Sequence, residues 1–191
     1  VVAGISSSPD YPRASALFSP AQPAPRFSIS LISMTFHAPA VESVTPAAAQ
    51  GDQRVFEVRV SDLDGAADVK TVLVLFNSTF ASSGACYIAV EPGPDLFSLA
   101  SDSGLGWEAA TAGSAATLLN SQCRLRASGS SIVRSGTQVR IFLDLTFEPA
   151  FAGVRNIYLM AADQQQMTSN WSQPGVFTVS VGTTGAPPVV V

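Results

Sequence analysis

Residues 137–147, TQVRIFLDLTF, constrain the fold more than any other part of the chain. Val139, Ile141, Leu143, Leu145 and Phe147 fall on one side, and Arg140, Asp144 and Thr146 on the other. A period of two sends successive side chains to opposite faces, so the segment predicts a half-buried β-strand. Further strands are expected over residues 41–45, 54–61, 69–77, 86–90, 96–99, 156–162 and 176–181. Between them lie turn-forming runs: Ala49-Gln50-Gly51-Asp52, Asp62-Leu63-Asp64-Gly65, Glu91-Pro92-Gly93-Pro94 and Gln173-Pro174-Gly175. Short strands separated by such turns predict an all-β fold built as an antiparallel β-sandwich.

Other stretches follow different rules. Residues 1–26 carry Pro9, Pro12, Pro20, Pro23 and Pro25. Proline removes backbone donors and favours extended conformation, so an extended arm is expected there. Residues 27–40 hold a strand candidate of shifting phase. Phe27, Ile29 and Leu31 share one face, whereas Ile32, Met34 and Phe36 share the other. Either a bulge resets the register or the strand leaves one sheet for another. The sandwich is expected over residues 41–181, with 182–191 as a linker or terminal strand. Residues 101–130 break the strand rhythm. Their alanine-rich part, 109–119, contains Gly113 and several hydroxyl or β-branched residues that weaken a helix. This region reads as a long excursion pinned by Cys123 and Trp107.

Composition narrows the partners. Charged residues make up 13% of the chain, and the net charge is −4. No basic cluster is present to neutralise a run of phosphates, so nucleic acid is not an expected partner. No apolar run approaches the about 20 residues of a membrane-spanning helix. The chain opens on Val1 without a basic stretch followed by an apolar one, so any signal peptide is expected to have been removed. Cys86 and Cys123 are the only cysteines. With one distant histidine they do not make a zinc site. They read either as a disulfide, which implies an oxidising compartment, or as two inert buried thiols.

Several segments carry a family resemblance: VFEVRVSDLDGAADVKTVLVLFNS, ACYIAV, SNWSQPGVFTV and the NSQC around Cys123. Together they resemble immunoglobulin-like repeats of secreted bacterial surface proteins, over about residues 41–181. Such repeats commonly place D-x-D-G after the second strand and an A-x-D…S-x-W hairpin near the end. Here these are Asp62-Leu63-Asp64-Gly65 and Ala161-Ala162-Asp163 through Ser169-Asn170-Trp171. The chain departs from the pattern at Gln164-Gln165-Gln166-Met167, which has no glycine for the final tight turn. The resemblance implies an immunoglobulin-like sandwich on the bacterial cell surface. It does not specify a role, since such folds host many.

Few constellations carry chemistry. Asp62, Asp64 and Asp68 flank Gly65, and Asp163 joins them if the two loops share one end of the sandwich. Alternate carboxylates suit a hard cation, calcium. The competing reading is an Asx-type turn bonded to local N–H groups. His37 is the only imidazole and Lys70 the only lysine, and no G-x-S-x-G elbow occurs, so an enzyme is not expected. Glu57 and Asp144 lie at strand positions facing away from the core and are expected to be solvated. Trp107, Trp171 and Tyr158 make either a sugar-stacking platform or plugs at the sandwich ends. Asn77-Ser78-Thr79 and Asn170-Trp171-Ser172 match the N-glycosylation sequon.

Two roles follow. In the first, the chain is a structural subunit of an extracellular fibre and its partners are copies of itself. A stretched arm from Pro9 to Pro25 reaches roughly 50 Å at about 3.1 Å per residue. Phe27, Ile29, Leu31, Ile32, Met34 and Phe36 would then complete a neighbour's sheet by strand addition. In the second, it is an adhesive or carbohydrate-binding module of a larger surface protein, and its partners are surface glycans.

Overall fold

A computed structural model describes residues 35–180. Their regular structure is thirteen β-strands and two single-turn 3₁₀ segments. The strands are β1 (Ala40–Thr45), β2 (Ala48–Gly51), β3 (Gln53–Ser61), β4 (Val69–Asn77), β5 (Cys86–Glu91), β6 (Leu96–Ala100) and β7 (Trp107–Thr111). They continue with β8 (Thr117–Leu119), β9 (Cys123–Arg126), β10 (Ser131–Ser135), β11 (Gln138–Phe147), β12 (Gly153–Asp163) and β13 (Ser172–Val179). One sheet has the order β1-β3-β11-β9-β8, with β10 also paired to β11. The other has the order β2-β13-β12-β4-β5-β6-β7. Every pairing is antiparallel except β2 with β13, which is parallel.

The all-β sandwich follows from alternation on both sheets. In β11, Val139, Ile141, Leu143, Leu145 and Phe147 are buried, as the period of two requires. In β4, Val72, Val74 and Phe76 point inward. Aromatic rings close the gap between the sheets. Phe56 of β3 lies 4.9 Å from Phe76 of β4, and Phe147 of β11 lies 5.2 Å from Phe177 of β13, centroid to centroid. Each such buried ring contributes roughly 1.5–3 kcal/mol relative to an exposed one.

Cys86 and Cys123 form a disulfide with their Cα atoms 5.6 Å apart, joining β5 of one sheet to β9 of the other. Asn120, in the NSQC run, holds this corner. Its Nδ2 donates to the carbonyls of Ala85 and Ala100, at 3.0 and 2.9 Å. Its Oδ1 accepts from the N–H groups of Gln122 and Cys123. All four bonds of the amide are thus made, which a buried amide needs to avoid a desolvation cost.

Three expectations are corrected. Residues 101–130 are not an irregular excursion: β7 extends one sheet, and β8 and β9 extend the other. The alanine-rich stretch forms β7, a turn in which Gly113 takes φ 76°, and β8. The expected turn at residues 49–52 contains the end of β2, stabilised by the exit strand β13 rather than by its own propensity. The hairpin after β12 closes without glycine. Gln166 adopts φ 69°, and the Asp163 N–H donates to the Met167 carbonyl at 3.1 Å.

Of the predicted assembly strand, Phe27, Ile29, Leu31, Ile32 and Met34 lie outside the described residues. Phe36 is half-exposed and precedes β1, outside any strand. The 1–26 arm and the 182–191 tail also lie outside the described residues.

Candidate functional site

Sheet register builds an aromatic surface on the outer face of the seven-stranded sheet. Tyr158 of β12 pairs with Leu75 of β4, Leu75 pairs with Tyr87 of β5, and Ala100 of β6 pairs with Trp107 of β7. The inward neighbours Ile157, Phe76 and Ile88 are fully buried, so this row faces outward. Two more rings are laid over it from loops. Phe80 comes from the β4–β5 connection and Trp171 from the residue before β13.

The rings form a continuous chain. Trp107 lies 5.0 Å from Tyr87, Tyr87 6.4 Å from Trp171, Trp171 5.1 Å from Phe80, and Phe80 5.2 Å from Tyr158. Their tilted and edge-to-face geometries are those aromatic pairs prefer. Leu75 is buried although it points away from the core, because Phe80, Tyr87 and Trp171 roof it. Phe80 and Trp107 stay 58% and 44% exposed, far more than core rings would be. Burial pushes the Tyr87 hydroxyl above its ordinary range.

Thus Trp107, Trp171 and Tyr158 do share one face, each paired ring to ring with Tyr87 or Phe80. Tyr87 and Phe80, which sequence reasoning left out, link them. Tyr87 was legible as the outward residue of ACYIAV, between buried Cys86 and Ile88. Phe80 sits in a loop and carries no periodic signal.

Neutral amides border the Tyr158 end. Asn156 Nδ2 donates to the Tyr158 hydroxyl at 3.0 Å, and Gln173 Nε2 donates to Asn156 Oδ1 at 3.0 Å. At the other end, a groove of about 530 Å³ runs beside Trp107, walled by Glu108, Leu119, Asn120, Ser101 and Asp102. Asp102 accepts both the N–H and the hydroxyl of Ser121, at 2.9 and 2.6 Å, which holds its carboxyl below the ordinary range. A smaller hollow of about 210 Å³ lies between Phe80, Tyr87 and Trp171.

A second constellation lies at one end of the sandwich. Asp62 follows β3, Asp68 precedes β4, and Asp163 ends β12. One carboxylate oxygen from each lies within 4.8 Å of the others. Asp62 and Asp163 are fully buried. Asp64 is not in the group. Its Oδ2 accepts the His37 N–H at 2.6 Å, and its Oδ1 lies 3.1 Å from His37 Nδ1. These contacts hold the Asp64 carboxyl below its usual range.

The outer face of the other sheet is different. Glu57 and Asp144, expected to be solvated, are covered. Glu57 accepts from Arg59 Nε at 2.8 Å and Arg140 Nε at 2.6 Å, which pulls its carboxyl below the ordinary range. Asp144 is 3% exposed and bound by the Arg126 guanidinium, and its own N–H donates to Ser130 Oγ at 3.0 Å. It sits where β9 has ended and β10 has not begun, beneath the 3₁₀ segment Ala127–Gly129. A Cβ at Gly129 would overlap the carboxylate, so only glycine fits there. Alternation correctly sets the direction of these side chains, but not what lies on top of them. The sequon residue Asn77 is also buried, its Nδ2 donating to Ala81 and Ser83 carbonyls, which removes it as a glycan acceptor in the folded chain.

No protein-family model and no curated protein matches the chain. Among the described residues no helix is long and apolar enough to cross a membrane. That observation and the disulfide are compatible with a secreted protein.

Proposed function

We propose that residues 35–180 form an extracellular, immunoglobulin-like binding module that takes neutral glycans on its aromatic face. The carrying observation is the continuous run Trp107–Tyr87–Trp171–Phe80–Tyr158 on an outward sheet face. Contiguous exposed apolar surface is rare on soluble proteins without a use, and Tyr and Trp are the side chains that join apolar area to a polar tip. The row Tyr158, Leu75, Tyr87, Ala100 and Trp107 contains no charged side chain, which favours an uncharged ligand. Pyranose rings suit such a surface: their C–H faces stack on aromatic rings, and their hydroxyls reach the flanking amides of Asn156 and Gln173. The resemblance to bacterial surface repeats and the disulfide support an extracellular setting.

The test uses the full chain and a panel of soluble neutral oligosaccharides of several pyranose units. Tryptophan fluorescence and calorimetric titration are expected to show saturable binding. Trp107→Ala and Trp171→Ala are each expected to weaken it by about tenfold or more, while circular dichroism stays unchanged. Absence of any fluorescence change or heat across the panel overturns the reading. So does a concentration-dependent dimer abolished by Trp107→Ala, which would give the face to a second copy.

A further inference from the structure

We propose that Asp62, Asp68 and Asp163 together bind a calcium ion that ties the two sheets at one end of the sandwich. The argument starts from hydrogen-bond accounting. In each of the three residues Oδ2 is buried and accepts no hydrogen bond from the protein. Asp62 and Asp163 are 1% and 0% exposed, so water does not reach these oxygens freely. Buried polar atoms are almost always partnered, and a buried carboxylate is costlier to leave bare than a neutral group.

The other carboxylate oxygens show what holds the arrangement. Asp62 Oδ1 accepts the Asp64 N–H at 2.9 Å, and Asp163 Oδ1 accepts the Met167 N–H at 2.8 Å. The Asp68 carbonyl accepts the Gln164 N–H at 3.0 Å, which locks the two loops together. The backbone thus fixes Asp62 and Asp163 and turns one oxygen of each toward the same point. Three carboxylates converge there, one oxygen of each within 4.8 Å of the others. Among the described residues, no arginine, lysine or histidine forms an ion pair with any of the three. A cation among the three carboxylates supplies the partner that their bare oxygens lack.

Chemistry selects the ion. The donors are all carboxylate oxygens, His37 is engaged by Asp64, and both cysteines are in the disulfide, so soft and borderline metals lack suitable ligands. Calcium accepts about six to eight oxygens in flexible geometry, whereas magnesium demands a near-ideal octahedron and keeps most of its waters.

Position gives the consequence. Asp62 leaves the sheet of β3, while Asp68 leads into β4 and Asp163 ends β12, both strands of the opposite sheet. The disulfide joins the same two sheets beside Phe76, which pairs with Cys86. From Val69 to Phe76 is about 23 Å along β4 at about 3.3 Å per residue. The ion fastens one end of the sandwich as the disulfide fastens the other.

The experiment is a thermal melt and a calcium titration of the full chain after chelator treatment, repeated with magnesium. Calcium is expected to bind with measurable heat and to raise Tm by roughly 5–10 °C at one hundred times its dissociation constant. Asp68→Asn and Asp163→Asn are expected to abolish the response, and Asp64→Asn to retain it. The wild-type titration stands even if a variant fails to fold. No heat and no Tm shift with calcium overturns the proposal, as does an equal response to magnesium. Loss of the response in Asp64→Asn but not in Asp68→Asn overturns the ligand set.

Discussion

The two outer faces of the sandwich solve the same problem in opposite ways. On the sheet of β3 and β11, outward side chains are charged and satisfy one another: Arg59 and Arg140 on Glu57, Arg126 on Asp144, Arg124 on Glu148. On the sheet of β4 and β5, the outward row of Tyr158, Leu75, Tyr87 and Trp107 is neutral, and its rings meet one another and the loop rings Phe80 and Trp171 in tilted and edge-to-face contacts. A face whose charges are already paired offers little to a ligand, because binding would trade existing bonds for new ones. The aromatic face still exposes ring surface to water, so covering it lowers free energy. The difference separates a surface that completes the fold from one available for recognition.

The largest expected effect comes from cutting the link beneath both faces. Replacing Cys86 and Cys123 by alanine releases a closure spanning 37 positions in sequence and should cost about 4 kcal/mol in denaturant unfolding. If both faces rest on one core, circular dichroism and tryptophan fluorescence will report a single transition. Next, Arg126→Met strands the buried Asp144 carboxylate and should cost about 2–3 kcal/mol by urea midpoint. Trp107→Ala on the opposite face should cost less than about 1 kcal/mol, since the ring is 44% exposed, yet it should weaken glycan binding about tenfold or more. Equal stability costs for Arg126→Met and Trp107→Ala would erase the contrast between the faces.

The smallest effect is a pH dependence. The Arg59 and Arg140 contacts hold the Glu57 carboxyl below its ordinary value of 4.5. A carboxyl lowered on folding contributes stability that is complete above its ordinary value and is lost as pH falls through the lowered one. Glu57→Gln should therefore lower Tm by a few degrees at about pH 6, and the difference should shrink as pH falls through the lowered value. A difference that persists in acid would show that packing, rather than charge, holds this part of the polar face.

The alternation of Val139 to Phe147 made the sandwich legible in the sequence, because a half-buried strand must alternate to present one face to a two-layer core. The short strands escaped notice for a physical reason. β10 buries no residue fully, and β2, Ala-Ala-Gln-Gly, has no branched or aromatic side chain. Both exist through pairing with a neighbour, which sequence does not display. The aspartates show the same boundary. Spacing treats Asp62 and Asp64 alike, but His37, distant in sequence, takes Asp64 and leaves Asp62 facing Asp68 and Asp163. Likewise Asp144 reads as solvated until Arg126 and Gly129 are folded over it. Direction of a side chain is local information, whereas its covering is not.

The disulfide encloses β6, β7 and β8 within one covalent loop, and that loop carries Trp107 and the strongly exposed Leu105. A protease that nicks the backbone at Leu105 would separate nothing: the two pieces would migrate together on a gel until a reductant was added. The tryptophan strand is therefore retained on a nicked molecule.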